Sequence, residues 1–231
     1  MLPKIDTPKF SFSQPSTGKA LTFRPFLVKE EKILMLAANG GEINDMLDAA
    51  QQIVQNCCIE DVNIKDFTIF DLQYLFIKIK SKSTGEVQEF TLTCGEKDCN
   101  SKIQYELKLD DIEVTGLDNK VDSFIKVNDD VGIQLKYPTA EIALLGDELD
   151  DTSLIALCID HVVNGEETID ILNEQKDEVD EFIDSLPLHA FDKVKEFFLN
   201  MPRMEHVIEY KCPKCERDNF IALNGYEHFF G

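Results

Sequence analysis

The chain has 231 residues, 43% of them hydrophobic, and a formal net charge of −21. That apolar fraction supports a packed core and excludes wholesale disorder, and the length suits one large domain or two small ones at about 150 residues per domain. No apolar run approaches the roughly 20 residues of a membrane-spanning helix, and so acidic a surface repels nucleic-acid phosphates and anionic lipid unless bases cluster locally.

No run of five or more Lys or Arg supplies such a cluster. Met1-Leu2-Pro3-Lys4-Ile5-Asp6 lacks an apolar leader core, so export through a cleaved leader is not expected. Apolar and polar residues alternate over 9–13 and again at Leu21-Thr22-Phe23, around the turn formers Pro15, Ser16, Thr17 and Gly18. This predicts a β-hairpin, ended by Arg24-Pro25. Lys29, Glu30 and Glu31 open a helix whose apolar stripe is Ile33, Leu34, Leu36 and Ala37, and Asn39-Gly40-Gly41 stops it. A second helix over 43–56 carries Met46, Leu47, Ala50, Ile53 and Val54 on one face.

Asp66 and Thr68 are N-cap candidates for a buried helix running to Ser81. The alternation of Leu75, Ile77 and Ile79 also fits a strand; helix is preferred because Gly85 breaks the segment before a clear strand at 87–93. That strand pairs with 103–109, and Cys94 to Cys99 lie at the hairpin tip. Further strands are expected at 121–127 and 131–137, a helix at 139–146 after Pro138, and helices through much of 151–201, broken near Pro187. Strands at 205–211 and 219–223 close the chain, again with a cysteine pair at their turn. The expected fold is α+β: mixed helices with several short antiparallel hairpins, including a split, zinc-ribbon-like pair of Cys knuckles. It is read as one domain over 1–231, with an N-terminal hairpin and helices at 1–82, a β part at 83–137 and 204–231, and an acidic helical part at 138–203.

From Asp147 to Asp184 there are fourteen acidic residues and one base, Lys176. Leu154, Ile155, Leu157 and Cys158, then Ile169 and Leu172, then Val179, Phe182 and Ile183 interrupt them at helical spacing. The pattern reads as amphipathic helices with acidic outer faces, softened by like-charge repulsion. Those faces are either simply solvated or a docking surface for a basic protein partner. The aromatic C-terminus (Tyr226, His228, Phe229, Phe230) and Phe23-Arg24-Pro25-Phe26-Leu27 pose a similar choice between packing and partner contact.

The seven cysteines are Cys57, Cys58, Cys94, Cys99, Cys158, Cys212 and Cys215. An odd count argues against a disulfide framework and for a reducing compartment. Cys57, Cys58 and Cys158 sit in apolar helical stretches and read as core. Cys94-Gly95-Glu96-Lys97-Asp98-Cys99 and Cys212-Pro213-Lys214-Cys215 each fold a hairpin turn back on itself. Facing each other, the two turns supply four thiolates for tetrahedral zinc, with Lys97 and Lys214 offsetting the negative charge. More than a hundred residues separate the pairs, so such a site joins distant parts of the fold and its binding energy becomes folding energy. Unmetallated thiols and redox chemistry are the other readings; a cysteine pair in a β-turn lacks the helix N-terminus that usually lowers a reactive thiol.

Nothing recommends catalysis. His161, His189, His206 and His228 belong to no metalloenzyme motif, although His206 and His228 flank the last cysteine pair and are candidate substitute ligands. There is no GxSxG, GxGxxG or Gly-rich phosphate loop. Acidic pairs such as Asp110/Asp111 and Asp150/Asp151 are too common in this composition to nominate as acid–base pairs. A site filled by four sulfurs also keeps no open position for a substrate. A zinc-ribbon regulator acting on nucleic acid or polymerase remains the alternative class, and it calls for a basic stripe that is not present.

The segment Phe23-Arg24-Pro25-Phe26-Leu27-Val28-Lys29-Glu30-Glu31-Lys32-Ile33-Leu34 resembles the N-terminal signature of the T-even-type bacteriophage baseplate hub family, which includes hub assembly proteins of contractile tails. Other pieces agree in order: Phe70 to Phe76, Lys80 to Glu86, Cys94 and Cys99, Leu109-Asp110-Asp111-Ile112, and Cys212 to Cys215. The resemblance implies a non-enzymatic role in building the baseplate hub, with hub proteins and the tape-measure protein as partners. It implies assembly in the host cytoplasm, with or without retention in the virion tail, and no catalytic residues.

Overall fold

The structure, a computed structural model, describes residues 5–40, 42–119, 121–145 and 150–225. Gly41, Asp147, Glu148, His228 and the terminal aromatics Tyr226, Phe229 and Phe230 lie outside the described residues. The chain forms two compact units: Met1–Ile64 with Phe70–Thr115 and Arg203–Gly231, and Lys65–Ile69 with Gly116–Pro202.

In the first unit, β1 (Phe10–Ser13) and β2 (Ala20–Phe23) form the predicted N-terminal hairpin, with Phe10 opposite Phe23. Helices α1 (Val28–Gly40), α2 (Ile43–Cys57) and α3 (Ile69–Thr84) follow. The ambiguous segment is helical because it is buried all round. Leu75, Ile77 and Ile79, which a strand would place on one face, are all buried around α3, as are Leu72 and Phe76. Two polar side chains of α3 that enter this core, Asp71 and Lys78, are hydrogen-bonded. Asp71, fully buried, accepts hydrogen bonds from Gln14 Nε2 (2.9 Å), Ser16 N (2.8 Å) and Ser16 Oγ (2.6 Å), which fastens the β1–β2 turn to α3. Lys78 donates to the Asp110 carbonyl (2.7 Å) and to Glu113 (2.9 Å), and Lys82 bridges Glu86 and Asp110.

Two long hairpins complete this unit. β3 (Val87–Thr93) pairs with β4 (Lys102–Lys108), and β10 (Arg203–Lys211) pairs with β11 (Asp218–Asn224). A two-residue strand, β5 (Val114–Thr115), adds to the other edge of β10. It is too short to carry a periodicity and was not expected from the sequence.

The second unit holds a four-stranded antiparallel sheet in the order β6 (Phe124–Lys126), β7 (Val131–Leu135), β8 (Ile159–Asn164) and β9 (Glu167–Ile169). Its helices are α4 (Ala140–Leu144), α5 (Asp151–Leu157), α6 (Lys176–Asp184) and α7 (Leu188–Leu199). Ile125, Ile133, Ile159, Val162, Ile183 and Phe197 belong to one buried cluster.

Helices α5, α6 and α7 occupy much of 151–201 as expected, but the β8–β9 hairpin interrupts them and corrects the helical reading of the segment that holds Ile169. The acidic residues of this stretch read as a helix face, but the β-branched Val162 and Val163 precede Asn164-Gly165, a strong turn signal. Gly165 takes φ +62°, and Val162 pairs with Ile169 across the turn. Leu154, Ile155 and Leu157 lie in α5 and Cys158 caps its C-terminus, whereas Ile169 belongs to a strand. All described strand pairings are antiparallel, and the architecture is mixed helix and antiparallel hairpin. No helix among the described residues is long and apolar enough to cross a membrane.

Candidate metal centre

The two long hairpins present their cysteines in the same way. Cys94 directly follows β3 and Cys212 directly follows β10. Each closes its turn through the backbone: Cys94 N–H donates to the Ser101 carbonyl and Cys212 N–H to the Arg217 carbonyl, both at 2.9 Å. The second cysteine of each pair is followed by a residue in the left-handed region, Asn100 at φ 46° and Glu216 at φ 59°. That kink turns the chain into β4 or β11 directly after the second cysteine. Two turns of unequal length thus repeat one local design.

The repeat brings the sulfurs together. Cys94 Sγ lies 3.6 Å from Cys215 Sγ and Cys99 Sγ lies 3.7 Å from Cys212 Sγ, and all four sulfurs fall within 4.8 Å of one another. Disulfide bonding requires about 2.05 Å, and all seven cysteines are free thiols. An ion held by four thiolates at about 2.3 Å spaces its sulfurs roughly 3.8 Å apart, close to the two nearest separations. Cys94, Cys99 and Cys212 are buried and Cys215 is exposed. The donor set and its spacing fit a tetrahedral metal ion.

Polar contacts hold one turn against the other. Asn219 Oδ1 accepts from Gly95 N (3.0 Å), Lys214 Nζ donates to the Cys99 carbonyl (3.1 Å), Tyr210 Oη donates to the Thr93 carbonyl (2.9 Å), and Arg217 pairs with Glu96. Lys214 therefore grips the opposite turn, while Lys97 is exposed. Asn219, Tyr210 and the Arg217–Glu96 pair were not singled out from sequence, because nothing local to them signals a partner in the other hairpin.

The thiols are electrostatically unequal. Cys212 is pulled down to about 6, first by the Cys215 amide aimed at its sulfur, then by the Lys214 amide and the Cys215 and Cys99 thiols, against desolvation. Cys215 moves up to about 12: the Arg217 amide favours its thiolate, but desolvation and the crowding of Cys212, Cys94 and Cys99 outweigh it. Four thiols this close oppose joint ionisation unless a cation shares them.

The remaining candidates lie elsewhere. His206 sits on β10 opposite Leu223 and is not in the cluster. His161 is hydrogen-bonded to Asp160 at 2.8 Å, and His189 is exposed. Cys57 and Cys158 are buried, and burial pushes their thiols up to about 12 and about 11. Cys58 is half-buried and also raised by desolvation. Phe23 is fully buried and Phe26 packs 6.1 Å from Phe76, so most of the Phe23–Leu27 signature is built into the fold, while Leu27 is 40% exposed.

Compared with known proteins, residues 7–231 match the family described as T4 bacteriophage base plate protein. No curated protein and no solved structure matches the chain.

Proposed function

We infer the role of this chain from its kinship: it belongs to the T4 bacteriophage base plate protein family, whose model spans residues 7–231. It is thus a structural protein of the phage baseplate. We read it more narrowly as a hub protein, a component or an assembly factor, that binds other hub proteins and the tape-measure protein and catalyses no reaction. It acts in the host cytoplasm during assembly, and its destination is the tail baseplate. Cys94, Cys99, Cys212 and Cys215 hold one structural zinc ion, which clamps the β3–β4 hairpin to the β10–β11 hairpin. Zinc is the choice because an all-thiolate tetrahedral set with no open position is its usual structural site.

The family match over nearly the whole chain carries this reading. The regulator alternative draws on the thiol cluster, but its surroundings do not suit nucleic acid. Lys97, Lys214 and Arg217 in the two turns are balanced by Glu96, Asp98 and Glu216. Co-elution of the purified chain with candidate hub and tape-measure proteins tests the reading. A stable complex is expected, and failure to co-elute with any of them counts against it. Mass spectrometry of mature virions then separates a component from a transient assembly factor.

A further inference from the structure

The second unit carries an apolar groove beside α6. Its larger lobe, about 460 Å³, is walled by Val131, Ile169 and Phe182, and its smaller lobe, about 280 Å³, by Ala156, Leu157 and Leu172. Ile171, Glu174 and Val179 line both lobes, so the two are continuous. Leu172 stands 60% exposed beside the apolar lining of the smaller lobe, so it extends an apolar patch. The rim is predominantly acidic: Glu174 and Glu178 line the larger lobe, and Glu174 and Asp180 line the smaller together with Lys176, the one base among the lining residues of either lobe. The groove thus combines an apolar floor with carboxylates along its edge.

We propose that this groove seats the apolar face of a basic amphipathic helix belonging to another baseplate protein. The apolar stripe of such a helix covers Leu172 and the two lobes, while its flanking Lys or Arg residues meet Glu174, Glu178 and Asp180. Charge complementarity chooses this occupant. A second copy of the chain would bring a surface of the same sign, and an apolar segment without bases would leave the rim carboxylates uncompensated. The proposal rests on the baseplate reading and names the chemistry of one partner.

The probe is a fluorescein-labelled 14-residue peptide of Leu and Lys with its leucines on one helical face, titrated with the full chain by fluorescence polarisation. Binding that weakens as salt rises is expected. It should weaken at least tenfold in L172D and in E174K/E178K, and stay within twofold in E42K/E89K, which makes the same change of net charge in the first unit. Equal loss in all variants, or equal binding of a scrambled peptide of the same composition, overturns the proposal. Co-elution with baseplate proteins separates this from the family role. If wild type and an L172D/E174K/E178K variant join the same complex equally well, the groove proposal falls and the structural role stands.

Discussion

Glu30 has no exposed surface, yet it is surrounded by groups that favour its charge. Arg24 donates to both of its oxygens at 3.1 and 2.9 Å, and the Leu27 N–H donates at 2.9 Å. Burial opposes ionisation, but the Arg24 and Leu27 hydrogen bonds and the charges of Arg24 and Lys29 hold this carboxyl below its ordinary value. Arg24 also donates to the Asn56 carbonyl, so one ion pair joins the end of the first hairpin to α1 and α2. Glu30→Ala should cost about 3–5 kcal/mol in chemical denaturation, because it leaves the Arg24 charge uncompensated. The folded value is depressed, so the stabilisation is complete above the unfolded carboxylate value of about 4.3 and is lost as pH falls through the folded one. The stability gap between wild type and Glu30→Gln should therefore hold at neutral pH and shrink on acidification below about pH 5. At the thiol cluster, Cys212→Ser should reduce bound metal from one per chain to near zero by elemental analysis. It should also lower the melting temperature by on the order of 10 °C, since metal binding is folding energy. Unchanged stability after metal removal would refute a structural ion. The cysteine spacing was legible in the sequence because it is local; the Arg24–Glu30 bond network was not, because Asn56 joins it from another helix.

Among the elements, those with turn formers at both ends read most clearly. The hairpins at 10–23, 87–108 and 203–224 alternate polar and apolar residues around Gly, Pro or Cys-bearing turns, and the structure forms each of them. The β8–β9 hairpin was hidden by its charge: Asp160, Glu166 and Glu167 resemble a helix surface, and the apolar spacing of the surrounding residues suits either period. Its turn makes a specific demand. Gly165 has φ +62° and no atom within 4 Å of an added Cβ, so a side chain there meets backbone strain and no clash. Gly165→Val should destabilise the protein by about 1–2 kcal/mol, and Gly165→Asn by clearly less, in urea melts. An equal loss for both would mean that the turn is not what matters. β5 shows the opposite limit: two residues gain a sheet position from β10, with no pattern of their own.

On the scale of the whole molecule, the dominant property is charge. The net of −21 is concentrated between Asp147 and Asp184, where neighbouring carboxylates gain when the unit opens. Raising NaCl from 10 to 300 mM should therefore raise the melting temperature, by on the order of 5 °C, as the screening length falls from about 30 Å to below 10 Å. A flat or falling trend in differential scanning calorimetry would show that repulsion is not limiting stability. Charge, the absence of a long apolar run, the type of most elements and the two cysteine pairs follow from the sequence alone, because each depends on residues within one or two turns of chain. Which cysteines meet, which charges are buried with a partner, and how an apolar groove comes to lie beside acidic side chains were decided only by tertiary structure. Those distances join residues far apart in the chain, and the packing of every intervening element sets them.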